Sequence, residues 1–203
     1  MEFSLLSSKE LIVVIASYAL GCFSTGYYLV RLRTGQDIRE LGSGSAGGTN
    51  VGRVLGRAGF AVTMFVDLIK GALALGIALY LGVTSWVLTL IITAVVVGHI
   101  FPLQLGFRGG KGLATALGAM LMYDFRLPIV ISALTLLLGS LSKQFTLSLM
   151  LVIAAAPLVA ALFGHTSAEA GGVAMTALFI LLAHRTNIAT ALKALWSQTH
   201  PSK

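Results

Sequence analysis

Charged side chains are scarce in this sequence. Asp, Glu, Lys and Arg together make up 10% of its 203 residues, against about 25% in an average soluble domain. So few charges cannot clothe a globular surface of that size, which excludes an ordinary soluble domain. A hydrophobic content of 57% excludes a disordered chain. Cysteine occurs once, at Cys22 in an apolar stretch. That excludes an intrachain disulfide and suits a small buried hydrophobe. No basic helix or aromatic-studded basic patch is present, so nucleic acid is not expected as a partner. Strand alternation of the outer-membrane barrel kind is absent. The histidines are scattered, and no carboxylate or cysteine cluster has ligand spacing. Neither a metal nor a cofactor is indicated.

What the chain has instead is long apolar runs and a mean hydropathy of +0.92. They occupy residues 11–30, 58–81, 85–105, 112–123, 127–141, 145–163 and 171–183. The first, second, third and sixth are long enough to span a bilayer unaided. The other three are short and would have to tilt, extend or turn back. The expected fold is an all-α integral membrane protein with about seven transmembrane helices, residues 1–203 forming one polytopic domain. The first run is not a signal peptide by pattern. Its leading flank carries Glu2, Lys9 and Glu10, and it is followed by Arg31 and Arg33.

The net charge is +7, and its distribution sets an orientation. With the N-terminus outside, the inside stretches hold Arg31, Arg33, Arg39, Arg53, Arg57, Arg108, Lys111, Lys143, Arg185, Lys193 and Lys203. Outside there are Lys9 and Arg126, and Lys70 lies within a segment. The positive-inside rule therefore predicts N outside and C cytoplasmic.

Three polar clusters fall on that inside face. The first runs from Gly42 to Arg53 and includes Gly44, Gly47 and Gly48. Such glycines let consecutive N–H groups form a nest for phosphate oxygens. Ser43, Thr49 and Asn50 add hydrogen-bonding groups. With a helix starting near Thr49, Arg53 stands one turn in and can clamp a phosphate bidentately. A flexible linker would not need Thr-Asn and Arg at the head of an apolar helix. The second cluster is Gly98-His99-Ile100-Phe101-Pro102, then Phe107 to Thr115. It is not a Walker A loop, because Gly112 follows Lys111 where Ser or Thr is required. It is still a glycine-rich turn feeding a helix N-terminus, which attracts anions. Arg108 and Lys111 add full charges to Gly109, Gly110 and Gly112. A topology anchor would not interleave three glycines with a lysine. The third cluster is His184-Arg185-Thr186-Asn187. Its plain reading is a basic flank. Asn187 stands three residues after His184, so on a helix both face one side. Within the second apolar run, Asp67 and Lys70 stand three apart, which suits mutual neutralisation. Their functional reading is a strut beneath the site, or a proton or ion path.

In order along one chain, these clusters resemble the motifs of the PlsY-type glycerol-3-phosphate acyltransferases. The resemblance rests on Gly42 to Arg53, on Gly98 to Pro102 with Phe107 to Thr115, on His184 to Ile188, and on Asp67-x-x-Lys70-Gly71. It departs from that family at Ser45 and Gly48, where Asn and Ala are usual. Thr190, Ala194 and Trp196 replace an Arg and a Gly-x-Glu. The resemblance implies transfer of a fatty acyl group from acyl phosphate to the sn-1 hydroxyl of glycerol 3-phosphate, giving lysophosphatidic acid and phosphate. That is a step in phospholipid biosynthesis at the bacterial inner membrane, facing the cytoplasm. The expected partners are glycerol 3-phosphate, fatty acyl phosphate and membrane lipid. The expected catalytic residues are Ser43, Arg53, His99, His184 and Asn187. The expected substrate-binding residues are Gly42, Gly44, Thr49, Asn50, Arg108, Gly109, Gly110, Lys111, Gly112, Thr115 and Arg185. Two alternatives remain at this level. One is an anion transporter, which the basic loops would also suit. The other is a divergent relative with weakened activity, which the altered third motif would suit.

Overall fold

The computed structural model describes residues 6–199, so Glu2 and Lys203 lie outside them. All regular structure among the described residues is helical. The chain divides into two compact units, Met1–Asp124 and Phe125–Lys203.

The first unit holds α1 (Ser8–Cys22), α2 (Thr25–Thr34), α3 (Gly48–Tyr80), α4 (Ser85–Ile100) and α5 (Leu113–Tyr123). A capping box opens α1: the Ser7 hydroxyl accepts from the Glu10 N–H, and the Glu10 carboxylate accepts from the Ser7 N–H. The same carboxylate accepts the Thr84 hydroxyl at 2.7 Å, tying α1 to the start of α4.

The first apolar run, expected as one helix, is broken at Phe23–Ser24. The break frees two carbonyls in an apolar setting, where an unmatched one is costly. Gln104 Nε2 donates to the Cys22 carbonyl at 2.6 Å, and Lys70 Nζ donates to that of Phe23 at 2.8 Å. A second departure concerns α3, which starts ten residues before its apolar run. Gly56, at φ 73° and ψ −168°, interrupts it, a conformation open essentially to glycine. The leading segment, 48–55, therefore belongs to the polar face and carries Asn50 and Arg53.

Two helix contacts set the frame, α1 on α4 and α3 on α5. Both rely on small residues. A Cβ on Gly71 would strike the Thr115 carbonyl, and one on Gly118 the Leu68 carbonyl. Close backbone approach of this kind is how helices associate without a hydrophobic drive from water. Phe65, Leu73 and Ile77 on α3 point outward, each more than half exposed, as a lipid-facing surface does.

The second unit holds α6 (Arg126–Ser142), α7 (Phe145–Leu162), α8 (Ser167–Ala183) and α9 (Arg185–Thr199), with α7 packed against the other three. The sequence showed no apolar run for α9, whose apolar and polar residues are mixed. His184 caps α8, and α9 leaves at 64°. His184 and Asn187 therefore do not lie along one straight helix, because the chain turns between them.

Among the described residues, four helical stretches are long and apolar enough to cross a membrane: Ser8–Thr34, Gly48–Tyr80, Ser85–Leu105 and Phe145–Leu162. These correspond to the four runs expected to span unaided. The α8–α9 pair qualifies only as a bent unit, while α5 and α6 are apolar but shorter. The 11 residues of α5 rise about 16 Å, roughly half the hydrocarbon thickness.

Candidate active site

Asn50 organises the first glycine loop. It is buried, and its side chain is fully engaged with the loop's own backbone. Oδ1 accepts from the Ser43 N–H at 2.9 Å. Nδ2 donates to the carbonyls of Leu41 at 2.9 Å and Ser45 at 3.0 Å. The loop wraps this amide because Gly42, at φ 55°, leaves room for it. A Cβ there would collide with Oδ1. Ser43, Thr49 and Arg53 are exposed around this core. Asn50 thus shapes the loop, and its neighbours face outward from it.

The second glycine loop folds back along the end of α4. Gly109 and Gly110 donate their N–H groups to the carbonyls of Ile100 and His99, both at 3.0 Å. The two loops then meet: the Ala46 N–H donates to the Gly109 carbonyl at 3.1 Å. Beside this bond the Gly47 backbone faces Gly110 and the Lys111 nitrogen. Gly112, at φ 85°, turns the chain into α5. The seam between the loops therefore lies at the starts of α3 and α5, where helices present unpaired N–H groups.

Charge gathers at the same seam. Lys111 is half-buried, and its ammonium is held below the ordinary lysine range, first by burial and second by Arg53. An anion placed between these two cations would favour the charged form of both. Arg108 is exposed on the same loop. Arg39 fastens the surroundings. Its guanidinium pairs with Asp37 at 2.5 Å, donates to the Leu105 carbonyl at 2.6 Å and lies over the Tyr27 ring. That hydrogen-bonded guanidinium holds the Asp37 carboxyl below the usual carboxylate range. By charge pattern alone Arg39 is only one of the inside basic residues. Asp37, two residues away, was the available signal.

Three expected site residues sit deeper. Thr115 is buried in the α3–α5 contact, its carbonyl against Gly71. His99 is buried beneath Gly110, with Nε2 where a Gly110 side chain would start. Its Nδ1 lies 2.7 Å from Lys70 Nζ, which is 2.9 Å from Asp67 Oδ1. Asp67 and Lys70 do pair, as their spacing suggested, but the pair extends to His99. The third motif belongs to the second unit. His184 is buried there, with Nδ1 2.8 Å from the Ile180 carbonyl. Since a carbonyl only accepts, Nδ1 carries the hydrogen. Arg185 donates to the Leu182 carbonyl at 3.1 Å, and Asn187 sits in the first turn of α9.

The chain is similar to known proteins along most of its length. A glycerol-3-phosphate acyltransferase 1 from Desulfitobacterium hafniense (strain Y51) is 45% identical over 188 residues, covering 90% of this chain and 93% of that protein. A glycerol-3-phosphate acyltransferase from Shewanella oneidensis is 36% identical, covering 92% and 91%. The crystal structure of PlsY, an integral membrane glycerol 3-phosphate acyltransferase, superimposes in its glycerol 3-phosphate form. The TM-score is 0.83 at 32% identity, over 92% of this chain and 94% of that one. Its lysophosphatidic acid form gives 0.79 at 30% identity. These relatives are acyltransferases, which leaves the anion-transporter reading without support. The family described as glycerol-3-phosphate acyltransferase matches residues 11–194, and the chain belongs to that family.

Proposed function

We propose that this membrane acyltransferase takes its fatty acyl group from acyl phosphate and transfers it to the sn-1 hydroxyl of glycerol 3-phosphate. The products are lysophosphatidic acid and inorganic phosphate, an early step of phospholipid synthesis. The observation that carries this reading is the join between the two glycine loops. The Ala46–Gly109 hydrogen bond joins the loops that lead to Arg53 and Lys111, and both substrates bring phosphate. An acyl phosphate is already an activated mixed anhydride, so the enzyme's work is positioning and charge stabilisation.

In this reading Lys111, with Arg108 and the backbone of Gly109, Gly110 and Gly112, holds the phosphate of glycerol 3-phosphate. Arg53, Ser43, Thr49 and the Gly42–Gly44 backbone hold the acyl-phosphate group. Asn50 shapes that loop from within. His184, Asn187 and Arg185 serve the attacking glycerol. The His184 ring carries its hydrogen on Nδ1, which donates to the Ile180 carbonyl and fixes the ring at the end of α8. The protein sits in the bacterial inner membrane as one functional domain, N outside and the site cytoplasmic. The basic-residue asymmetry and a family match spanning both units support this.

Release of phosphate from a long-chain acyl phosphate by the purified protein tests the reaction. It is expected to depend on added glycerol 3-phosphate and to yield lysophosphatidic acid mole for mole. Phosphate release indifferent to glycerol 3-phosphate would overturn the reading. A further expected outcome concerns Arg53→Lys. Lysine keeps the charge and the topology signal but loses the two-pronged fork. Acyl transfer should fall by about tenfold or more, with membrane insertion normal. Full activity would make Arg53 a topology anchor only.

A further inference from the structure

The buried Asp67–Lys70 pair is not used in the assignment above, yet it touches the site through His99. An ammonium has three donors and no acceptor. Lys70 Nζ has three partners at donor distance: the Phe23 carbonyl at 2.8 Å, Asp67 Oδ1 at 2.9 Å and His99 Nδ1 at 2.7 Å. Asp67 Oδ1 also accepts from the Thr25 hydroxyl at 3.2 Å, and stands 3.6 Å from His99 Nδ1, too far for a hydrogen bond to it. The helix break at Phe23–Ser24 supplies the carbonyl that completes the set. His99 Nδ1 therefore accepts from Lys70, and the ring hydrogen sits on Nε2.

That hydrogen is placed with purpose. His99 is 4% exposed, and Nε2 lies against Gly110 at the seam where Gly47 and the Lys111 nitrogen converge. Nε2 thus faces the seam at Gly110 as a hydrogen-bond donor. His184 has the opposite arrangement, with its hydrogen on Nδ1.

We propose that Lys70, held by Asp67, is a positioning residue that fixes His99 in its Nε2–H form, so that His99 donates a hydrogen bond to a substrate oxygen at the seam and takes no proton. This rests on the reading of the seam as the acyl-transfer site. It gives His99 the role of stabilising negative charge at the seam. A preformed donor at developing charge contributes without reorganising during the reaction.

The test uses the full-length protein in bilayers with 15N-labelled histidine. His99 is assigned by the signal lost in His99→Gln. Before substrate is added, the wild type should show the Nε2–H tautomer at His99. Glutamine can place an amide donor near the position of Nε2. His99→Gln should therefore lose less than about tenfold in kcat, whereas His99→Leu should lose about 100-fold or more. Asp67→Asn combined with Lys70→Met removes both charges together, so that no lone charge is left buried. It should scramble the His99 tautomer and lower kcat by about tenfold or more, with KM for glycerol 3-phosphate within about threefold of wild type. An Nδ1–H tautomer in the wild type would overturn the proposal, as would His99→Gln as inactive as His99→Leu. So would a double variant with unchanged kcat. The tautomer is read without turnover. An enzyme with the Nε2–H form that fails to acylate glycerol 3-phosphate would count against the proposed reaction and not against the histidine arrangement.

Discussion

Gly110→Ala should lose acyl transfer by about 100-fold or more while the protein still inserts. The methyl group would start where His99 Nε2 lies. A colliding side-chain tip is usually cheap to move, but this one is not. His99 is buried, and Lys70 holds its other nitrogen at 2.7 Å. The loop must therefore move instead of the ring. Gly110 donates to the His99 carbonyl, and its neighbour Gly109 accepts from Ala46. Displacing this segment shifts the Lys111 nitrogen and opens the seam between the loops. A misplacement of about 1 Å at a reacting centre costs on the order of 100-fold. Gly47→Ala gives the contrast. The nearest atom to its added Cβ is Ser45 Oγ at 3.5 Å, an ordinary contact. Its backbone should be undisturbed, and any loss should come from narrowing the seam. Comparison of kcat, KM and expression for the two variants checks this. Near-normal turnover by Gly110→Ala would mean that the seam adapts and does not define the site.

Lys111→Ala should lower kcat/KM for glycerol 3-phosphate by about 10- to 150-fold. That range corresponds to about 1.5–3 kcal/mol for a hydrogen bond to a charged group. The pH dependence should change with it. Burial and Arg53 hold the Lys111 ammonium below its ordinary range, so the free fold disfavours the charged form. Below the ordinary lysine value this costs stability, and the cost is relieved as pH rises through the depressed value. A bound phosphate reverses the preference by favouring the ammonium. In the wild type, KM for glycerol 3-phosphate should rise on the alkaline side, beginning at lower pH than an ordinary lysine would give. Lys111→Arg keeps its charge over that range and should abolish the rise, at some cost in geometry. Steady-state kinetics from neutral to alkaline pH would show it. An unchanged efficiency in Lys111→Ala would remove this residue from the site.

The altered third motif bears on the magnitude of activity. Thr190, Ala194 and Trp196 all lie on α9, and Trp196 is 66% exposed. They leave the α8 end carrying His184 intact, including its bond to Ile180. The wild-type rate in the phosphate-release assay separates a competent enzyme from a weakened one.

By itself the sequence determined the medium, the helical class and the three polar motifs. Hydropathy and charge are summed along the chain, so membrane residence and the four long spans could be read without knowing any contact. The glycine loops were legible for the same reason, since glycine, Asn50, Arg53 and Lys111 announce themselves locally. Tertiary structure alone decided how those groups divide their work. Asn50 looked like a ligand contact, yet its amide is spent on carbonyls five to nine residues away, and only the folded loop reveals that. The break at Phe23–Ser24 was hidden because both flanks are apolar. Its carbonyls are answered by Lys70 and Gln104, 47 and 82 residues further on. The same long-range closure turned the Asp67–Lys70 pair into a support for His99. A spacing of three residues shows that two charges can meet on a helix. Whether a third group from another helix completes the set depends on packing, which a one-dimensional pattern does not encode.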